Sequence, residues 1–325
     1  MECAQPRNRF LERLQRGESI VCAEGYVFEL ERRGYLQAGP FVPLCVLEHP
    51  QVVRQLHLDF LRLVGKEDAL EQLNLAALRI AKEVADETGT LFAGNICNSN
   101  LWEGKDQSAE VTESVREMFV EQVKWAKQAG VDFVIAETFG FLGEALLANE
   151  VIKEEFDLPS VVTIVIHQDG KTRDGYSAVE ALLALEKAGA DVVGFNCYRG
   201  PATMLPLIES VAKVIKTPLA ALPVPYRTTE QEPTFFCLKD DQLPKGTVNG
   251  RPFRWRSTAS CARASRSPSS PSVQGAGRPH HIRSMAEALG RQPPASRFSP
   301  DISKHFAFGT NAILKPVNLD HKDKL

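Results

Sequence analysis

The sequence has no hydrophobic run long enough to cross a membrane, and its charges nearly balance. A membrane-spanning helix needs about 18 apolar residues in succession, and no segment of the 325 residues provides them. The first nine residues are polar with scattered arginines, so we expect no secretory signal. The formal net charge of −3 gives no reason to expect nucleic acid or an anionic membrane as a partner. We therefore expect a small-molecule substrate.

Cysteine pairs at metal-binding spacing are also missing. The seven cysteines include no adjacent pair and no Cys-x-x-Cys. Cysteines of this kind, in a chain without a predicted signal, are typical of reduced thiols in the cytosol, so we expect a cytoplasmic protein. A small buried hydrophobic side chain is the simpler interpretation of each cysteine unless its position suggests chemistry.

Short apolar runs alternate with longer amphipathic stretches from residue 19 to residue 222. Strands alternating with helices of ten or more residues predict βαβ units and a parallel sheet. After a first apolar run at 19–22, the predicted strands are 91–96, 131–136, 161–166, 192–195 and 219–222. The predicted helices are 44–63, 70–84, 111–129, 142–156, 177–188, 204–215 and 280–289.

Two parts of the chain repeat one pattern: a helix end, a glycine, an aspartate and then a strand. Gly130 and Gly189 are the expected helix C-caps. The two strands end in chemically capable residues, Glu137 and Cys197, and in a βα barrel such strand ends face the active site. We therefore expect a (β/α)8 barrel. A doubly wound open sheet is the alternative, but no Gly-x-Gly-x-x-Gly phosphate motif follows a strand.

The residues at these strand ends suggest binding of an amino acid and of a metal. Cys197, beside Asn196, is a candidate metal ligand, because zinc held by cysteine sulfurs can bind and deprotonate a thiol. Glu137 ends a very apolar strand, where burying a carboxylate costs free energy unless the group is bound or hydrogen-bonded. We expect it to bind a substrate ammonium group, with hydrogen bonds inside the barrel as an equal alternative. Glu24-Gly25 offers another carboxylate after the first apolar run, with a solvated turn as an equal alternative.

The alternating pattern ends after residue 222. No acidic residue lies between Asp241 and Glu287, and residues 254–273 are mostly Ser, Arg, Ala and Pro. This composition is typical of a basic disordered linker. A basic segment that contacts an acidic partner is a further alternative.

Several short motifs follow one another in a characteristic order. They are Glu31-Arg-Arg-Gly-Tyr35, Glu48-His-Pro50, Gly94-Asn-Ile-Cys97, Phe133-Val-Ile-Ala-Glu137, Gly194-Phe-Asn-Cys197, His280-His-Ile-Arg-Ser-Met-Ala-Glu287 and Pro293-Pro-Ala-Ser-Arg297. With these motifs the chain resembles the homocysteine S-methyltransferase family, most closely its betaine-dependent members. The resemblance runs from about residue 10 to 236 and resumes from about 275 to 315.

The resemblance implies a homocysteine-binding barrel over 10–292 and a C-terminal tail or oligomerisation arm over 293–325, with a homo-oligomer as one possibility. It implies a zinc ion held by three cysteines, of which Cys197 matches the first. Glu137 matches a carboxylate near the homocysteine amino group, and Asn196, beside Cys197, is a further candidate for binding the substrate. Glu24-Gly25 lies where the family has an Asp-Gly pair. The implied reaction transfers a methyl group from betaine to zinc-bound homocysteine, giving methionine and dimethylglycine.

Three departures from the family lead us to expect an incomplete barrel. The family's other two zinc cysteines are adjacent, whereas residues 272–277 read Ser-Val-Gln-Gly-Ala-Gly. A strand, the second of the barrel, and an aromatic loop are missing between Val64 and Gly65. The eighth-strand region is aberrant within 242–274, where unpatterned sequence at 254–273 replaces the strand. A catalytically inactive relative, which binds a small amino acid or a partner protein, is therefore the alternative function.

Overall fold

A computed structural model describes residues 6–23, 70–99, 101–224, 226–237, 272–276 and 279–298. Its described strands form one sheet of seven parallel strands in the order β1-β7-β6-β5-β4-β3-β2. The strands are β1 (Ser19–Ala23), β2 (Ala93–Cys97), β3 (Phe133–Phe139), β4 (Ser160–Ile164), β5 (Val192–Asn196), β6 (Leu219–Leu222) and β7 (Ser272–Ala276). The predicted parallel βα architecture is confirmed.

Helices alternate with these strands along most of the described chain. They are α1 (Pro6–Gln15), α2 (Leu70–Thr88), α3 (Ala109–Ala129), α4 (Leu142–Glu150), α5 (Ala178–Lys187), α6 (Pro201–Val211) and α7 (Pro279–Ala288). A π-helical turn, Val151–Glu155, extends α4, and 3₁₀ turns lie at Phe235–Cys237 and Pro294–Phe298. The predicted helix at 44–63 lies outside the described residues. Within the described residues, no helix combines the length and the apolar character needed to cross a membrane.

Local sequence signals explain where these helices begin and end. Ser177 and Glu180 form a capping box at the start of α5, in which each side chain bonds the other's backbone N–H. Gly130 ends α3 with a φ of 82°, a left-handed conformation that glycine adopts without a steric penalty. Gly189 follows α5 with a φ of 78°, so both predicted glycine positions adopt the expected conformation.

Alternate residues of the strands belong to two separate hydrophobic cores. The inner core contains Ile20, Phe133, Ile135, Val161, Val192, Ala220 and Leu222 together with Phe10 and Leu14 of α1. The outer core contains the intervening strand residues, such as Val134, Val162, Val193 and Ala221, packed against the helices. Within the inner core, the rings of Phe10 and Phe133 stack with centroids 4.0 Å apart. A core enclosed by strands and separate from the helix-covered face is the arrangement of a βα barrel.

The barrel is open between β1 and β2 in the described part of the chain. There β1 pairs with β7, and β2 pairs with β3. The opening lies where we expect the second strand of an eight-stranded barrel to be missing. This agrees with the predicted incomplete barrel.

The structure differs from the prediction at the end of the aberrant segment. Ser272 and Val273 belong to the segment in which the sequence predicts no strand, yet they begin β7, which pairs in register with both β1 and β6. The physical reason is that the edges of β1 and β6 offer hydrogen bonds on both sides, so backbone pairing forms a strand without a strong apolar pattern. The boundaries 10–292 and 293–325 stay predictions.

Candidate functional site

Two asparagines hold the carboxylate of Glu137 at the carboxyl ends of the strands. Asn95 of β2 donates from Nδ2 to Glu137 Oε1 at 2.7 Å, and Asn196 of β5 donates from Nδ2 to Oε2 at 3.2 Å. We call the group of Asn95, Glu137, Thr138, Asn196 and Cys197 the barrel mouth. The structure thus brings together Glu137 and Asn196, as the sequence predicts, and adds Asn95.

A β-bulge in β3 shapes the barrel mouth. Ala136 pairs with Val162 and Phe139 with Ile164, so two residues of β3, Glu137 and Thr138, oppose one residue of β4. Thr138 has a φ of 67°, which is unusual for a β-branched residue. Bulges commonly lie next to active sites, where they redirect side chains.

Asn196 stabilises this unusual backbone as well as the carboxylate. Its Oδ1 accepts from the backbone N–H of Thr138 at 2.9 Å, and its Nδ2 also donates to Thr138 Oγ1 at 2.6 Å. The Asn196 side chain is 4 % exposed, so these bonds replace contacts with water. One buried amide therefore fixes both residues of the bulge.

Burial raises the pKa of Glu137 above its ordinary value, while the hydrogen bonds from Asn95 and Asn196 oppose that rise. The protein thus disfavours an isolated negative charge at this position. A cationic ligand would favour the ionised form. The arrangement is suited to accept an ammonium group, with the two amides orienting the carboxylate oxygens.

The chain turns sharply where Cys197 follows β5. Cys197 and Tyr198 each have a φ of 53°, and Cys197 N donates to Leu222 O at 2.9 Å. Gly194 allows β5 to approach β6, since a Cβ there would lie 2.0 Å from Ala220 O. In the Gly-x-Asn-Cys motif, the glycine thus permits close pairing with β6, and the cysteine lies in the turn that follows β5. The role of Cys197 as a metal ligand stays a prediction.

The buried Arg199 supports the same turn. Its Nε donates to Ile166 O at 3.0 Å, and its Nη2 donates to His167 O. These bonds connect the segment after β4 with the segment after β5. They position Cys197 in the barrel mouth and Tyr198 at its edge.

The described residues do not fit the zinc site that the resemblance implies. Strand β7 occupies the place expected for the two adjacent cysteines, and its sequence, Ser-Val-Gln-Gly-Ala, contains no thiol, imidazole or carboxylate. Among the described residues, no group of three or more His, Cys, Asp or Glu could hold a metal ion. A zinc site of this type needs three protein ligands and an open position, and Cys197 is the one ligand that the sequence predicts.

The remaining site predictions have mixed outcomes. Glu24 and Gly25 lie outside the described residues. Asn95 was missed as a site residue, although it belongs to the Gly94-Asn-Ile-Cys97 motif. Its partner is set by the pairing of β2 with β3, which places Cys97 opposite Glu137, and this register cannot be read from the motif alone.

Parallel strands around an inner core, with a carboxylate held by two amides at the mouth, define a protein of the βα-barrel class with a candidate site at the end where such barrels bind their ligands. The fold resembles that of the metallated homocysteine methyltransferase MmuM from Escherichia coli, with a TM-score of 0.62 at 15% identity, over 87% of this chain and 99% of that chain. At this identity the likeness concerns the fold alone.

The sequence matches the profile of the family described as homocysteine S-methyltransferase over residues 62–260. It is 33% identical over 333 residues to the S-methylmethionine–homocysteine S-methyltransferase BHMT2 of Pongo abelii, covering 92% of this chain and 86% of the relative. It is 32% identical over 337 residues to the betaine–homocysteine S-methyltransferase 1 of Rattus norvegicus, covering 92% and 79%. The chain belongs to the homocysteine S-methyltransferase family, a family of enzymes.

Proposed function

We propose that the barrel mouth binds homocysteine and that the chain transfers a methyl group to its sulfur from betaine. The products are methionine and dimethylglycine. The observation that carries the proposal is the carboxylate of Glu137, oriented by Asn95 and Asn196 at the carboxyl ends of three strands. Glu137 would accept hydrogen bonds from the ammonium group of homocysteine. The sulfur would then lie on the side of Cys197.

The reaction balances without an additional reactant. The homocysteine sulfur attacks a methyl carbon of betaine, so that a sulfur–carbon bond forms and a carbon–nitrogen bond breaks. The electron pair of the broken bond stays on nitrogen, and the thiol proton ends on the amine of dimethylglycine. A thiol reacts as its thiolate, and only a few per cent of an ordinary thiol is ionised at pH 7. The described residues contribute binding and orientation of the two substrates.

No step of this reaction is assigned to a metal, because the described residues do not complete a zinc site. The composition of β7 favours a second candidate function, in which the barrel mouth binds the amino acid without turnover. S-Methylmethionine is a second candidate donor, because it is the donor in the name of the Pongo abelii relative.

Methionine formation tests the proposal directly. The full chain is incubated with homocysteine and either betaine or S-methylmethionine, and methionine is measured by mass spectrometry. Glu137→Gln should lower the rate at least about tenfold, because a charge-assisted hydrogen bond contributes roughly 1.5–3 kcal/mol. Glu113→Gln, at an exposed position of α3, is the matched control and should retain the rate.

The two candidate functions give different results in this assay. Methionine formed only from S-methylmethionine would replace betaine as the donor. Homocysteine binding without methionine from either donor would support the second candidate. Failure to bind homocysteine would contradict both.

A further inference from the structure

An arginine from the segment after β4 lies over the segment after β3. Arg173 N donates to Gly140 O at 2.8 Å. A Cβ on Gly140 would lie 3.2 Å from Arg173 Cδ, so the glycine makes room for the arginine stem. The guanidinium carbon is 5.7 Å from the centroid of the Phe141 ring, within cation–π range. Arg173 is exposed, so a solute can reach a side chain whose stem is held in place.

The neighbouring acid is directed to a different partner. Asp174 Oδ2 accepts from Leu142 N at 2.9 Å and from Gly143 N at 3.3 Å, at the start of α4. Thr172 Oγ1 accepts from Tyr176 N at 3.0 Å in the same turn. The turn therefore directs Asp174 to the start of α4, whereas Arg173 lies against Gly140 and Phe141.

Three partly exposed aromatic side chains meet beyond the end of β5. The rings of Tyr198 and Phe235 are 6.0 Å apart and nearly perpendicular, and those of Tyr226 and Phe235 are stacked at 5.6 Å. Phe235 N donates to Tyr198 O at 2.7 Å. A Cβ on Gly200 would lie 2.1 Å from Tyr226 O, so that glycine permits the close approach. We call Tyr198, Tyr226 and Phe235 the aromatic group.

Tyr198 connects the arginine with the aromatic group and with Cys197. Burial raises the pKa of Tyr198 above its ordinary value, and the charge of Arg173 and its hydrogen bond to the tyrosine oppose the rise. The hydroxyl is therefore protonated at neutral pH and can donate. The ring of His167 also contacts that of Tyr198, nearly perpendicular to it and with ring centroids 5.0 Å apart. Tyr198 directly follows Cys197, at the edge of the barrel mouth.

We propose that Arg173 and the aromatic group form a subsite for a zwitterionic methyl donor, an inference that rests on the proposed methyl transfer. The donor carboxylate accepts hydrogen bonds from the Arg173 guanidinium and the Tyr198 hydroxyl. The methylated cation lies against the rings of Tyr226 and Phe235, whose faces attract quaternary ammonium groups.

Calorimetric titration of the full chain with three matched ligands tests the subsite. Betaine carries both charges, choline carries the methylated cation alone, and 3,3-dimethylbutanoate carries the carboxylate with an uncharged group of the same shape. Betaine should bind most tightly of the three. Arg173→Gln should weaken betaine and 3,3-dimethylbutanoate at least about tenfold and leave choline unchanged. Phe235→Leu should weaken betaine and choline about threefold or more and leave 3,3-dimethylbutanoate nearly unchanged.

Arg79→Gln, at an exposed position of α2, is the control for loss of one positive charge and should bind all three ligands as the parent chain does. Equal weakening of betaine and choline by Arg173→Gln would overturn the subsite, and so would unchanged betaine binding in that variant. Betaine binding that depends on Arg173, without methionine formation, would support the subsite and contradict the proposed function. Methionine formation with an unchanged KM for betaine in Arg173→Gln would support the proposed function and contradict the subsite.

Discussion

Asn196 and Asn95 both donate a hydrogen bond to the carboxylate of Glu137, but they differ in their other hydrogen bonds. Asn95 makes its bond to Glu137 from β2, whereas Asn196 also makes two hydrogen bonds to Thr138. Thr138 has a left-handed backbone, which costs on the order of 1–3 kcal/mol and must be stabilised by its surroundings. Asn196 is thus a positioning residue for the bulge and for the carboxylate.

Comparing Asn196→Ala with Asn95→Ala separates these two roles. Both variants should weaken homocysteine binding, because each leaves Glu137 with fewer donors. Asn196→Ala should also lower the free energy of unfolding by about 1–3 kcal/mol more than Asn95→Ala, since it leaves partly buried polar groups of Thr138 without this partner. Urea unfolding measures the difference. Equal destabilisation would show that Asn196 does not hold the bulge.

The raised pKa of Glu137 gives a pH-dependent stability. Because the folded-state pKa lies above the ordinary value of 4.5, protonation favours the folded state. The contribution to stability is fully present below pH 4.5 and is lost as the pH rises through the folded pKa. Glu137→Gln should therefore unfold at a higher temperature than the parent chain at pH 7.5, and the difference should shrink on acidification towards pH 4.5. A difference that does not vary with pH would contradict burial as the cause.

Strand β7 shows why an element with a weak sequence pattern can still form. Ser-Val-Gln-Gly-Ala gives little indication of a buried strand, but Gln274 pairs in register with Val21 of β1 and Ala221 of β6. The strand depends on backbone hydrogen bonds supplied by segments far away in the chain. By contrast, β3 to β6 have strong apolar runs and were predicted within a few residues from the sequence.

A proline in β7 tests whether this pairing holds the strand. Gln274→Pro removes the backbone N–H and cannot donate to the ladder. It should lower the free energy of unfolding by about 1–3 kcal/mol, because a buried acceptor is left unpaired. Gln274→Thr, which keeps the N–H and suits a strand, is the control and should change stability much less. Equal effects of the two substitutions in urea unfolding would contradict the pairing.

At the scale of the whole molecule, the parallel barrel and its opening could be predicted from the sequence, whereas the contacts of the barrel mouth could not. Alternating strands and helices specify the fold, and strand ends placed Glu137, Asn196 and Cys197 on one side of it. The partnership of Asn95 with Glu137 and the approach of Arg173 to Tyr198 depend on register and on turns far apart in the chain. Those turns include positive φ values that the sequence pattern does not reveal.

The open barrel predicts uneven protection of the backbone. Strand β4 pairs with β3 on one side and β5 on the other, whereas the described residues pair β2 with β3 alone. Amides that pair on a sheet edge open more readily than those in the interior. Hydrogen exchange should therefore be at least about tenfold slower in Ser160–Ile164 than in Ala93–Cys97. Equal protection would show that β2 has a second neighbouring strand.

The central claim is that the barrel mouth binds homocysteine through Glu137, and calorimetric titration of the full chain with homocysteine tests it most directly. We expect saturable binding of one homocysteine per chain in the parent protein and in Glu113→Gln. Binding should be at least about tenfold weaker in Glu137→Gln, since the ammonium group loses its charged partner. Absence of saturable binding, or equal affinity in Glu137→Gln and the parent chain, would contradict the account.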